Sequence, residues 1–477
     1  MNPRIGLRLF ARRPPINGFC GGLACLLLAV FSLLPGQQVT WLRRLHGAYG
    51  QGICYAPNLD LLVTGSVNDS PGFDLAVQRY STDGDSLSTL VTGAGRWACG
   101  YRAIADKAGS VYAAGTCYNE STSSMCLLVK FASGGETLWL RKERVADEDI
   151  FSDVALDRSG NVIVVGSSYS YQGGGTTTGL MRSYDSTGGL NWAKTMTWSG
   201  DIWGVVAAGG EIYACGTDSL GRMLLLKCDS VGDTVWTVRS SWGGLPFCTG
   251  WGLALDSAGS VAVAVAAGDG VYYKIGVIKC DTTGRTLWER SFQPGSDDWA
   301  AGIAADSAGN FFVSGVRSNN DYWLAKLGPA GETPWTTTCN SGGSDLGYGV
   351  AVVGSDPVMT GTSTGSEGTD AITIRFSGAT GIAEPNRDAS SGDVDLAVVG
   401  CPGRNLLVAE VRLRQSVFIS LRVCDPSGRA VAVLARGLLS AGRHEFTFDA
   451  RAAPAGVYFL RLDWPSHSET RKLVLTK

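Results

Sequence analysis

Short apolar runs broken by glycine and aspartate recur along most of this chain, most clearly in residues 277–315. Residues 277–280 are apolar, Asp281 and Gly284 bound a turn, and residues 286–291 are a second run carrying Trp288. Residues 302–305 follow, then a turn from Asp306 to Gly309, then residues 311–314. Runs this short, with turn residues between them, predict strands joined in hairpins rather than helices. The runs are nearly continuous in apolar character instead of alternating, which predicts strands covered on both faces.

The phrase repeats, and its count predicts the architecture. Trp41, Trp139, Trp192, Trp236, Trp288 and Trp335 share the position of Trp288, and the run at residues 86–91 is a degenerate seventh copy. Seven sets of three further strands can be matched to these, for example residues 154–166 and 303–315. The chain begins with a lone tryptophan strand at residues 39–45 and ends the repeat with a triplet, residues 349–376, that lacks one. The two halves balance only if the first strand joins the last triplet, the closure by which a propeller avoids an unpaired edge. The fold expected is all-β: a seven-bladed β-propeller closed by the N-terminal strand, followed by a small Ig-like β-sandwich.

Residues 1–36 read as a signal peptide, with Arg4, Arg8, Arg12 and Arg13 ahead of an apolar run at 19–34 that is short and broken by glycine. Once it is removed no stable transmembrane span is expected. The propeller is expected over residues 37–381, a linker over 382–392 and the sandwich over 393–477. Residues 37–392 hold 24 basic against 35 acidic residues, and residues 393–477 hold 12 against 8. An acidic body argues against a nucleic-acid partner, and the basic tail argues for a separate module. Cys228 and Cys280 end apolar runs where sister repeats carry Tyr or Phe, so they read as core residues. Cys117 and Cys126, at the two ends of a hairpin loop, are the candidate pair for a disulfide.

Asp157, Gly160 and Asn161, the run 164–166, residues 306–315, and Asp281, Gly284, Leu287 and Trp288 resemble the bacterial secreted β-propeller repeat family. The resemblance covers residues 39–381 and implies no defined activity. Residues 423–428, 438–443, 454–462 and 471–477 resemble the type A C-terminal sorting domain of the type IX secretion system. Its motif positions here are Gly428, Gly442, Gly456, Val457, Tyr458, Arg471 and Lys472. Cys424 stands where tyrosine is usual, and Cys401-Pro402-Gly403 replaces the usual opening phrase. The resemblance implies the type IX secretion machinery as a partner, passage across the outer membrane, and an extracellular or cell-surface destination.

The Asp-x-x-Gly turns read as turn chemistry, aspartate capping its own backbone and glycine taking positive φ, rather than as calcium loops. The repeated tryptophans read as packing between blades. The variable connections between one blade's outer strand and the next blade's inner strand are acidic and aromatic, and variable loops on a rigid scaffold usually carry function. The candidate ligand face is Trp97, Asp149, Trp198, Asp201, Trp242, Asp297, Asp298, Trp299 and Asp345, suited to a carbohydrate, a cationic group or a surface protein. Trp203, Trp251 and Tyr348 each precede a glycine at one phase of the repeat and read as packing instead. With only His46, His444 and His467, no histidine-based triad or metal cluster is expected, and neither cofactor nor metal is implied. The Asp-x-x-Gly-x-x-Leu-Trp phrase also resembles the tryptophan-docking repeat of quinone-dependent dehydrogenases, which typically use a larger ring and adjacent cysteines; no two cysteines are adjacent here. The function expected is non-enzymatic binding or envelope structure, the alternative being a polysaccharide hydrolase or lyase using Asp297 and Asp298.

Overall fold

The repeated apolar runs are strands buried on both faces. Every residue of Val261–Gly268 and of Phe311–Val316 is buried, whereas the tryptophan strand Thr286–Phe292 is largely exposed. The structure is a computed structural model. It describes residues 30–32, 39–377 and 394–475, apart from 57–59, 70–71, 95–96, 119–122, 173–174, 197, 293–297, 318–320, 342, 366–367, 402–405, 414–415, 426–428, 450–453, 455 and 465–466.

The chain is all-β, its described residues forming four-stranded antiparallel units that suit propeller blades. Sheets I to VI cover residues 48–92, 97–143, 148–196, 199–240, 247–292 and 299–340, each running up and down from an innermost to an outer strand. Sheets I and II are linked by a single bridge between Phe73 and Trp97. Sheet VII contains Ser344–Val353, Asp356–Gly365 and Gly368–Phe376, and its fourth strand is Val39–His46, with Trp41 opposite Arg375 and His46 opposite Asp370. Val30–Ser32, inside the expected leader, pairs with the outer strand of sheet VI.

The apolar core is divided between neighbouring sheets. Ala254, Val277, Phe311 and Trp323 join sheets V and VI in one cluster, while Trp41, Leu61, Tyr80, Ala351 and Val358 join sheets VII and I. The outer tryptophans lock the same interfaces. Trp288 Nε1 donates to the Pro329 carbonyl at 2.9 Å, and Trp236 to Thr282, Trp192 to Ser230, Trp139 to Ser186 and Trp41 to Thr82 do likewise at 3.0–3.2 Å. Each acceptor sits in the tight turn between the third and outer strands of the next sheet, where a positive-φ glycine lets the indole lie flat. A methyl group at Gly331 (φ +84°) would stand 2.9 Å from the Trp288 ring, and one at Gly84 (φ +84°) 2.6 Å from that of Trp41. In the degenerate copy Leu90 takes this place against Gly135.

The aspartate turns are closed by their own backbone. Asp157 Oδ1 accepts the N–H groups of Ser159 and Asn161, and Asp306 accepts those of Ala308 and Asn310. Cys228 and Cys280 are fully buried. Cys117 and Cys126 are both free thiols, contrary to the bridge suggested by their spacing. Cys117 pairs with Met125 and Cys126 with Thr116, so the two side chains fall on opposite faces of the hairpin. Cys117 packs toward sheet I and Cys126 toward sheet III.

Residues 394–475 form a three-stranded sheet and a four-stranded sheet sharing one core, in which Val411 and Phe448 meet Leu421, Val423, Tyr458 and Leu460. The opening strand is Val394–Cys401. Of the sorting-motif positions, Gly428 lies outside the described residues. Gly442 (φ +133°) and Gly456 each begin a strand, Val457 pairs with Val474, and buried Tyr458 donates its hydroxyl to the Pro454 carbonyl at 3.0 Å. Arg471 and Lys472 lie on the last strand, opposite Leu460 and Phe459.

Candidate functional site

Every innermost strand of the seven sheets carries a β-bulge at the same place, and the seven extra residues all line one central cavity. They are Gln51, Tyr101, Ser152, Trp203, Trp251, Ala301 and Tyr348. A bulge leaves its extra residue unpaired and re-aims it. The repeated glycine that ends each second run of the sequence makes room for this. Gly65, Gly115, Gly166, Gly216, Gly315 and Gly361 lie opposite the bulges, where a β-carbon would fall 1.6–2.3 Å from a carbonyl oxygen of the innermost strand. Sheet V carries Val265 there, facing Gly250.

The residue after the bulge is glycine in five sheets, Gly52, Gly204, Gly252, Gly302 and Gly349, and adjacent strands approach closely at them. A methyl group at Gly302 would stand 3.1 Å from the Gly349 Cα. The two exceptions are charged. Arg102 reaches along this glycine floor, since a β-carbon at Gly52 would stand 2.8 Å from its Cδ and one at Gly349 2.9 Å from its Nη1. Asp153 Oδ2 accepts the Val205 N–H of the next sheet at 2.9 Å, and Oδ1 accepts the Val154 N–H at 2.8 Å. Burial pushes Asp153 up to about 6, against the attraction of Arg102 and these two N–H groups, and pushes the neighbouring Cys54 thiol up to about 11.

The cavity has a volume of about 90 Å³, against the roughly 10–15 Å³ a single water needs. Its wall is aromatic. Trp203 and Trp251 lie 4.6 Å apart at 34°, and Trp251 and Trp299 6.5 Å apart at 60°, with Tyr101 and Tyr348 as the other aromatic residues of the lining. The Trp251 indole N–H is buried with no acceptor among the described residues. The Ser152 hydroxyl is committed to the Ile202 carbonyl at 2.6 Å.

The residues singled out from the sequence divide sharply. Trp299 lines the cavity, and so do Trp203, Trp251 and Tyr348, which the sequence had consigned to packing. Asp201 sits two positions before Trp203; burial raises its pKa although the Ser167 hydroxyl opposes this by hydrogen bonding. Trp97 and Trp198 are exposed, the first against Phe73 at 5.2 Å and the second beneath the Arg239 guanidinium at 5.2 Å. Trp242 is only 7% exposed and packs over Gly276 in the core between sheets IV and V. Asp149, Asp298 and Asp345 are fully buried at one phase of the repeat, three residues before the bulge. Asp149 accepts the Val145 N–H at 2.7 Å and the Ser168 hydroxyl at 2.5 Å; Asp345 accepts the N–H and hydroxyl of Ser341, both at 2.6 Å. These carboxylates tie down the loops rather than face a ligand. Asp298 donates its N–H to Tyr273, and Asp297 lies outside the described residues. Among the described residues no group of three His, Cys, Asp or Glu side chains is placed to hold a metal ion.

No family model matches the chain, and no curated protein matches it. Among solved structures, the WD40 domain of Neurospora crassa Pan2 is similar at 10% identity and TM-score 0.45, over 72% of this chain and 95% of that one. A Bacteroides caccae protein of unknown function is similar at 12% identity and TM-score 0.40, over 58% and 93%. PorZ, a surface component of the type IX secretion system of Porphyromonas gingivalis, is similar at 10% identity and TM-score 0.32, over 92% and 75%. At these scores none of them carries an argument about what this chain does.

Proposed function

We propose that this chain is an exported seven-bladed β-propeller, closed on itself by Val39–His46, that works by binding a ligand in its axial cavity rather than by catalysis. The observation that carries the reading is the bulge shared by all seven innermost strands, which turns one side chain per sheet toward a common space. Regularity of this kind is more than packing needs, because the glycines beside it leave the axis lined by large aromatics instead of filled. Closure is supported by the pairing of Val39–His46 with Gly368–Phe376 and by the cluster joining sheets VII and I. The polysaccharide-cleaving alternative loses support, because Asp298 is buried and Asp149 and Asp345 are engaged in loop hydrogen bonds.

The site is tested by intrinsic tryptophan fluorescence against a panel of small molecules. A ligand that quenches the wild type should lose its effect in Trp251→Ala and keep it in Trp97→Ala. The opposite pattern moves the site to the outer face and ends the axial reading. Export rests on the N-terminal basic-apolar segment and on the sorting-domain phrases of residues 423–477. Deleting residues 394–477 should trap the protein in the periplasm of a host with type IX secretion; undiminished appearance in the medium or on the cell surface refutes that part.

A further inference from the structure

Resting on the reading of the cavity as the binding site, we propose that its ligand class is single-ring aromatic carboxylates. The walls supply flat apolar surface on which an aromatic ring can stack, Trp203 and Trp251 on one side with Trp299 beyond them. A space of about 90 Å³, open to solvent, leaves no room for a fused or two-ring ligand.

Charge decides between ligand classes that would all tolerate an aromatic wall. Arg102 is the one charged side chain among the described residues lining the cavity, and no carboxylate among them stands within ion-pair distance of its guanidinium. The nearby acid, Asp153, is not part of the lining and already accepts two backbone N–H groups. Two further polar groups face the same space. The Trp251 indole N–H, a donor, has no acceptor among the described residues, and the Gln51 amide, 8% exposed, can both donate and accept. A cationic ligand would meet Arg102 and be repelled. A neutral apolar ligand would strip water from the guanidinium and return nothing, which is costly for a charged group. A carboxylate supplies two acceptor oxygens in the plane that a guanidinium fork matches.

The test uses the full chain titrated with benzoate, benzamide and phenyltrimethylammonium by isothermal calorimetry. Benzoate should bind about tenfold or more tightly than isosteric benzamide, the scale of one charge-assisted pair, and the ammonium should not bind. R102Q should bring benzoate down to the benzamide level while leaving benzamide unchanged, and Trp251→Ala should weaken both. If R102Q does not unfold cooperatively, R102K serves instead: it keeps the charge, loses the planar fork, and should cut the benzoate preference severalfold. Equal binding of benzoate and benzamide, a preference that survives both Arg102 variants, or no binding of benzoate at all overturns the ligand class. The axial reading itself falls only if Trp251→Ala leaves every observed affinity unchanged.

Discussion

Replacing Gly166 by alanine should destabilise the protein by about 3 kcal/mol, the upper range for overpacking a filled interior. The new β-carbon would stand 1.9 Å from the Ile150 carbonyl oxygen and 2.9 Å from the Phe151 Cα, and both obstacles are backbone, which no side-chain rotation can clear. The innermost strand of sheet III would have to surrender its bulge. Doing so moves Phe151, which is fully buried against Tyr112 and Leu128 of sheet II, and swings Ser152 out of the cavity lining, breaking its hydrogen bond to the Ile202 carbonyl. Three sheets are therefore strained by one methyl group. Chemical denaturation of the variant beside wild type measures the effect, and a midpoint shift equivalent to less than about 0.5 kcal/mol, the ordinary range of surface changes, contradicts it. Gly93, whose β-carbon would meet nothing within 4 Å, is the matched control.

The same glycine shows where sequence reasoning succeeds and where it stops. Repetition made the strands legible, because each sheet must present the same apolar surface to its neighbours. The tryptophan at Trp288 was readable as an interface residue on that ground, and it docks on the turn of the next sheet. A repeated position, however, says only that copies face equivalent places, and the cavity that the innermost strands share is one such place. Trp203, Trp251 and Tyr348 are periodic for that reason, and periodicity alone could not separate an axial residue from a packed one. The bulge that separates them leaves its mark one strand later in every sheet but V, as a glycine that reads as the end of a strand. Asp149, Asp298 and Asp345 show the opposite case. Scattered among variable loops they resembled an acidic surface, yet they occupy one phase of the repeat and are buried. Their common distance from the bulge was the available signal. Cys117 and Cys126 illustrate a third limit: proximity along a hairpin does not fix the face, and their register puts the two thiols on opposite sides.

Trp41→Ala should cost about 3 kcal/mol, within the usual range for truncating a buried tryptophan, even though the residue lies on the first strand of the repeated sheets. Terminal strands ordinarily fray and tolerate substitution. This one is held from two directions. Its strand pairs with Gly368–Phe376, placing Trp41 directly across from Arg375, and its indole lies over Gly84 of sheet I, 7% exposed. Trp41 Nε1 and Arg375 Nη1 both donate to the Thr82 carbonyl, at 3.0 and 2.6 Å. The shared acceptor allows closure to be separated from simple docking of the first strand on sheet I. If Val39–His46 completes sheet VII, the two side chains act on one interface, and a double-mutant cycle of Trp41→Ala with Arg375→Ala should return a coupling of about 1 kcal/mol. If the strand merely lies against sheet I with its far edge free, Arg375 stands elsewhere and the two effects add. Strict additivity would therefore argue against closure, whereas coupling together with the full cost at Trp41 ties residue 41 to residue 375, more than three hundred positions later in the chain.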